Sequence, residues 1–252
     1  GATPGRFLCP ARHPPRMTEL RYLPDDDDVT EFEATVVETT ADYVILDGTH
    51  FYPGGGGQPA DRGALSWPGG EAAVVDARKN HGDVRHYVDD VRGELPGVGT
   101  TVAGRIDAER RDRLTRLHTA QHVVSRVVLD EDGAATVGNG LSTDGGWVEF
   151  EGADVDVAEI ERLTNAAVDR DLAVHKAERP RAVVEDAVPE GRAQLDLIPD
   201  HVDPMRVVDV EGFDVCPCGG THVDALGDIG TVRITGASAE DGVTRVAFDV
   251  TP

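Results

Sequence analysis

The periodicity of the chain changes at Asp107, and that change limits the possible folds more than any other feature. Upstream, apolar and polar residues alternate in short runs at 32–39, 42–47, 72–77, 84–88 and 100–106, punctuated by turn signals that include the glycines 54–57 and the Pro-Gly-Gly at 68–70. Such runs are half-buried strands, and their even spacing predicts a small antiparallel β-barrel or sandwich. Downstream, Leu114, Leu117, Ala120, Val124 and Val128 recur at three- or four-residue steps, so 107–129 reads as an amphipathic helix. A second helix is expected over 157–172, capped by Asp156 and followed by an extended segment, and strands return at 205–210, 229–234 and 244–250. The class is therefore α+β: a barrel over 17–105 and an α+β domain over 106–252. Residues 1–16 are rich in Arg and Pro and lack acid, and are expected to be a disordered N-terminal extension, or a start assigned too early, ahead of Met17.

Composition matters where partners are concerned. The formal charge is −23 at pH 7, Asp outnumbers Glu, and only Lys79 and Lys176 interrupt an otherwise all-Arg set of cations. This resembles the surface chemistry of salt-accumulating halophiles, in which hydrated carboxylates keep molecules apart even when 1 M salt shortens the Debye length to about 3 Å. No apolar run is long enough for a membrane span and no signal peptide is visible, so a cytoplasmic location is expected. A polyanion should avoid phosphate, yet 105–116 reverses the trend with Arg105, Arg110, Arg111, Arg113 and Arg116 against three acids. These arginines are the candidate phosphate contacts; the competing reading is an ion-paired helix face.

Two short motifs carry the chemistry. His118 and His122 stand at i, i+4, so both imidazoles leave the helix on one side and can grip one ion. Their helical angles flank the apolar stripe, which suits the edge of a cleft. About a hundred residues later, Cys218 and His222 offer a thiolate and an imidazole around two flexible glycines. Together these four make a tetrahedral N/S donor set for one Zn²⁺ per chain. Cys216 lies nearby, but Pro217 turns it away, and it reads as a packed or exposed thiol; Cys9 has no assigned role.

His-Thr-Ala-Gln-His (118–122) and Cys-Gly-Gly-Thr-His-Val (218–223), the latter followed by Asp-Ile-Gly (228–230), resemble the signatures of the editing domain shared by alanyl-tRNA synthetases and the free-standing alanyl-tRNA editing proteins, AlaX. Phe-Tyr-Pro-Gly-Gly-Gly-Gly-Gln-Pro-Ala-Asp-Arg-Gly (51–63) resembles the glycine-rich motif in the barrel of the medium-length AlaX class, so the likeness covers 17–252. The resemblance implies a hydrolase that deacylates mischarged Ser-tRNA(Ala), with Gly-tRNA(Ala) a further candidate, and spares Ala-tRNA(Ala). Its partner would be the acceptor end of tRNA(Ala), and a zinc-bound water would be the catalytic group. Only 16 residues precede Met17, so editing in trans without an aminoacylation domain is expected.

Four protein ligands would close a tetrahedral zinc, which leaves a non-catalytic module with structural zinc, binding tRNA or another partner, as the alternative. Gln58, Gln121, Asn139, Ser142, Gly219 and Gly220 are the expected substrate contacts. Asn139 or Ser142 would take the serine hydroxyl where family members often carry a hydroxyl residue; the bland reading of 138–150 is a glycine-rich hairpin. The glycine run 54–57 lacks the GxxxxGK[ST] pattern, so no nucleotide cofactor is expected, and the loop should pack near the second domain with Gln58 as a polar contact.

Overall fold

A computed structural model describes residues 17–252. The expected extension 1–16, with Cys9, lies outside the described residues. The first half contains β1 (Glu19–Leu20), β2 (Glu31–Thr39), β3 (Tyr43–Leu46), β4 (Gly48–Thr49), β5 (Gly63–Trp67), β6 (Gly70–Asn80), β7 (Asp83–Arg92) and β8 (Thr101–Ile106). Six of these close in the order β2-β3-β7-β6-β5-β8, every neighbour antiparallel, while β1 pairs in parallel with β4. Of barrel and sandwich, the chain adopts the closed barrel, which leaves its six strands without a free edge. Alternation does the work: along β8, Val102, Gly104 and Ile106 face inward while Thr101, Ala103 and Arg105 face out. Val102 and Ile106 meet Val36, Val44, Leu46, Phe51, Leu65 and Val74 in one core. Strand β5 was not expected from the sequence, because Leu65 is its only fully buried residue.

The second half opens with α1 (Ala108–Asp132), whose N-cap Asp107 accepts from Arg110 N and whose end is turned by the left-handed Gly133. A hairpin of β9 (Thr136–Ser142) and β10 (Gly145–Glu151) leads to α2 (Val157–Val168), capped by Asp156. This helix stops short of the expected residue 172, because the chain turns at 169–171 with Asp171 at φ 49°. Then come β11 (Val174–Arg179), α3 (Arg181–Ala187), β12 (Met205–Val210), β13 (Asp214–Pro217), β14 (Thr231–Glu240) and β15 (Val243–Thr251). They form two antiparallel sheets, β14-β15-β10-β9 and β11-β12-β13. The α+β class expected from the sequence is the class found.

Leu117, Val124 and Val128 of α1 and Ile160 of α2 pack with Phe150, Val246 and Phe248 of the larger sheet. Helix α2 also covers the free edge of β14. Asn165 donates to Val232 O (2.7 Å) and accepts from Val232 N (2.9 Å), and Glu161 accepts from Ile234 N (2.8 Å), so side chains replace a missing strand. No helix among the described residues is long and apolar enough to cross a membrane.

Buried ion pairs join the halves. Arg111 of α1 is 3% exposed against Asp61, itself 1% exposed, and also donates to His50 O (2.7 Å) and Asp27 O. Arg111 is therefore a bolt between the halves and not the surface phosphate contact expected from its sequence position. Replacing Arg111 by Met would leave Asp61 buried without its cation, only the Tyr52 amide (2.6 Å) still donating to it, at about 3–5 kcal/mol. Calorimetry should show a melting temperature lower by roughly 10 °C, largely restored when Asp61→Leu removes the stranded charge.

Candidate functional site

Helix α1 brings His118 and His122 one turn apart, and both rings are buried. The helical angles suggest the edge of a cleft; both residues do line a cavity, and the loop that follows β13 covers the rest of their flank. That loop, Cys218 to Val223, is held by its own backbone donors. Gly220 N donates to Cys218 Sγ (3.4 Å), Thr221 N to Gln58 Oε1 (3.1 Å), His222 N to Asp27 Oδ2 (2.9 Å) and Val223 N to Thr119 Oγ1 (3.1 Å). Two of these acceptors come from the barrel half and one from α1. Asp27 is itself gripped by Lys176 of β11 (2.6 Å), which also meets Asp224 (2.8 Å) and Asp25 (3.0 Å).

The loop delivers a donor set. One ligand atom from each of His118, His122, Cys218 and His222 lies within 4.8 Å of every other. Cys218 Sγ stands 3.5 Å from His118 Nε2 and 3.3 Å from His222 Nε2. Tetrahedral zinc, with Zn–N near 2.05 Å and Zn–S near 2.3 Å, separates such atoms by about 3.5 Å. The far nitrogens of two rings are also committed. His118 Nδ1 meets Gln58 Oε1 at 2.7 Å, an atom that can only accept, so Nδ1 carries the proton and Nε2 presents its lone pair. His222 Nδ1 faces Thr119 Oγ1 at 3.2 Å, whose hydroxyl already donates to Thr115 O, and the same tautomer follows. His122 Nδ1 is buried with no hydrogen-bond partner.

Burial drives all three imidazoles towards neutrality, pulling His118 down to about 3 and His122 and His222 well below the usual value. Burial also raises the Cys218 thiol, against the opposing Gly220 amide, Arg206 and Arg192. An uncharged set of three imidazoles and a thiol, preoriented by outer hydrogen bonds, is one that a metal ion could occupy with release of the thiol proton. Gly220 is required at its position: a Cβ there would sit 2.1 Å from His118 Cε1.

The cluster forms part of the wall of a cavity of 390 Å³, within the range of small-ligand sites. Facing it is the glycine run, in which 54, 55, 56 and 57 have φ of 68°, 142°, 55° and 86°, a path open to glycine and strained for other residues. The run docks on β9, with Leu141 N donating to Gly57 O (2.9 Å) and Asn139 Nδ2 to Gly56 O (2.8 Å). Gln121, Asn139, Gly219 and Gly220 line the cavity, as does the buried thiol of Cys216, pushed up to about 12 by burial.

Other expected contacts are placed elsewhere. Gln58 is buried between His118 and Thr221, so it orients a ligand and does not face substrate. Ser142 sits exposed at the β9–β10 turn, accepting from Asp144 N and donating to Gly145 O, outside the cavity. Of the arginines besides Arg111, Arg113 is held by Asp249 and Val250 O, Arg116 by Asp112 (3.0 Å) and Arg110 by Ala60 O (3.2 Å); Arg105 lies exposed on the outer face of the barrel. The residues missed by sequence reasoning are Asp27, Lys176, Thr119, Thr221 and the buried pair Arg192–Asp214 (2.6 Å), whose arginine lines the cavity. The only hint was the rarity of lysine.

Residues 23–110 match the model of class II (A) tRNA synthetases, and residues 205–247 match that of the threonyl and alanyl tRNA synthetase second additional domain. The alanyl-tRNA editing protein AlaX-M of Methanosarcina acetivorans is 37% identical over 227 residues, covering 86% of this chain and 92% of that protein. The alanine–tRNA ligases of Methanopyrus kandleri and Halorubrum lacusprofundi are 41% and 35% identical over 92% and 93% of this chain. The chain spans about a quarter of the length of the ligases it matches.

If Gln58 orients His118, Gln58→Ala should weaken metal affinity by about 10–100-fold with the fold retained. Competition for Zn²⁺ against a chromogenic chelator measures this, and Cys218→Ala should remove tight binding altogether.

Proposed function

The chain belongs to the alanyl-tRNA editing family, and from that premise we propose that it hydrolyses the ester of mischarged Ser-tRNA(Ala) in trans and spares Ala-tRNA(Ala). Its partner is the acceptor end of tRNA(Ala) in the cytoplasm, and Gly-tRNA(Ala) is a second substrate to test. The proposal treats 17–105 and 106–252 as the two working units. One observation carries it: His118, His122 and Cys218 of the donor set share a cavity with Gly54, Gly55 and Gly56 of the barrel, so a ligand there touches both units at once.

The reaction suits these residues. An aminoacyl ester is already activated, so hydrolysis needs positioning, water and stabilisation of a developing oxyanion. Zinc held by His118, His122, Cys218 and His222 would supply Lewis acidity for that charge. Asn139 is the residue suited to serine. Its Nδ2 is committed to Gly56 O and Gln121 Oε1 (3.3 Å), which leaves Oδ1 free to accept from the serine hydroxyl. Alanine would leave that oxygen desolvated and unpaired, which is how a polar site rejects a smaller substrate.

The closed four-residue donor set favours a second reading, a structural ion in a non-catalytic tRNA-binding module. Purified protein in molar KCl separates the two. The proposal expects serine release from Ser-tRNA(Ala) that chelation stops, with Ala-tRNA(Ala) largely intact; no metal-dependent release would overturn it. Cys218→Ala should give a folded, inactive protein, whereas unfolding on loss of the thiol supports the structural ion. Asn139→Ala should lower kcat/KM for Ser-tRNA(Ala) roughly tenfold, the worth of one hydrogen bond of about 1–1.5 kcal/mol.

A further inference from the structure

The cavity beside the imidazole–thiol cluster contains no acid. Its lining includes neither Asp nor Glu, although a chain with 47 acids in 252 residues would place about four in a lining of that size by composition alone. The four other principal cavities each carry carboxylates, among them Asp27, Asp112 and Asp228 in one, and Glu31, Glu33 and Glu71 in another. Among the described residues two cations line the acid-free cavity, Arg192 and Lys79. The first is neutralised by its buried pair with Asp214. The second is not: among the described residues Lys79 has no carboxylate within ion-pair distance, while the other lysine of the chain, Lys176, has three.

Lys79 stands near the end of β6, exposed to solvent, on the barrel side of the cavity. The protein around it displaces enough water to push its ammonium below the ordinary lysine range, with no opposing charge to restore it. A cavity of one sign inside a strongly negative molecule focuses the field on whatever anion enters. An ammonium is a compact charge with donors that swivel, which suits a phosphodiester whose position varies along a flexible strand.

We infer that Lys79 is the phosphate contact that seats the single-stranded acceptor end of tRNA in this cavity. This rests on the deacylase reading for its ligand, and it moves the phosphate site away from the arginines of 105–116, of which the four on α1 are held by carboxylates or carbonyls, to Lys79 of the barrel. The barrel thereby supplies a charge that the imidazole-bearing half does not present.

The test uses the full chain, its Lys79→Gln and Lys79→Arg variants, and deacylated tRNA(Ala) labelled at its 5′ end, titrated over a range of KCl. Lys79→Gln should weaken binding roughly tenfold at the lowest salt and reduce the slope of log K against log salt by about 0.7, the contribution of one single-strand phosphate contact. Lys79→Arg should keep both near the wild-type values, and all three proteins should melt alike because the Lys79 side chain has no ion-pair partner among the described residues. With Ser-tRNA(Ala), Lys79→Gln should raise KM and keep kcat; with a seryl ester of adenosine, which has no phosphate, it should change neither. Unchanged affinity and slope in Lys79→Gln, or equal losses in Lys79→Arg, would overturn the assignment. The expected binding losses without serine release by any of the proteins would uphold Lys79 as a phosphate contact and overturn the deacylase reading. Failure of the wild type to bind tRNA would overturn both.

Discussion

Four successive backbone amides, from Gly220 to Val223, determine where the chemistry can happen. A buried N–H without an acceptor costs about 1–3 kcal/mol, so a loop that buries four must find four acceptors or stay open to water. This loop finds one in its own thiol and the rest in Gln58, Asp27 and Thr119, which belong to three separate segments. Once those bonds form, the positions of Cys218 and His222 relative to His118 follow with little freedom left. Gly220 shows how tight the fit is, since no side chain could stand between the loop and the imidazole of His118.

The same bonds explain why so much charge is buried where the halves meet. Asp27 is needed as an acceptor for His222 N, and a lone buried carboxylate would be costly, so Lys176 is buried beside it and Arg206 approaches to 3.5 Å. Burial still raises the Asp27 carboxyl above its usual value despite these cations. Arg111 and Asp61 repeat the arrangement where α1 leaves the barrel. In a protein with a large excess of surface carboxylates, the few buried ones are matched to cations one by one, and that matching sets the register of the two halves.

Much of this was legible in the sequence because it is periodic or local. Alternation in strands such as β8, the three- to four-residue steps of α1 and the spacing of the two ligand motifs are one-dimensional patterns with direct structural meaning. What was not legible depends on contacts between distant segments. Gln58 looks like a loop residue until His118, 60 positions away, is placed against it. Asp27 sits in a run of four aspartates that reads as a solvated surface turn, and nothing local separates it from its neighbours. The arginines of α1 show the converse: clustered cations suggested a phosphate track, but each charge is judged by its partners, and Asp61, Asp112 and Asp249 are remote in sequence or lie one turn away.

The bond between Gln58 and His118 also makes the site a thermodynamic joint between the halves. Whatever binds the imidazoles tightens the barrel's hold on the second half, and the docked barrel tightens that binding by the same factor, because coupling between two equilibria is reciprocal. If a metal fills the site, the change in its affinity on undocking the barrel and the change in cohesion of the halves on filling the site would be one coupling free energy. A relative that weakened its barrel contact would bind any ion at these four residues more loosely without changing a single ligand.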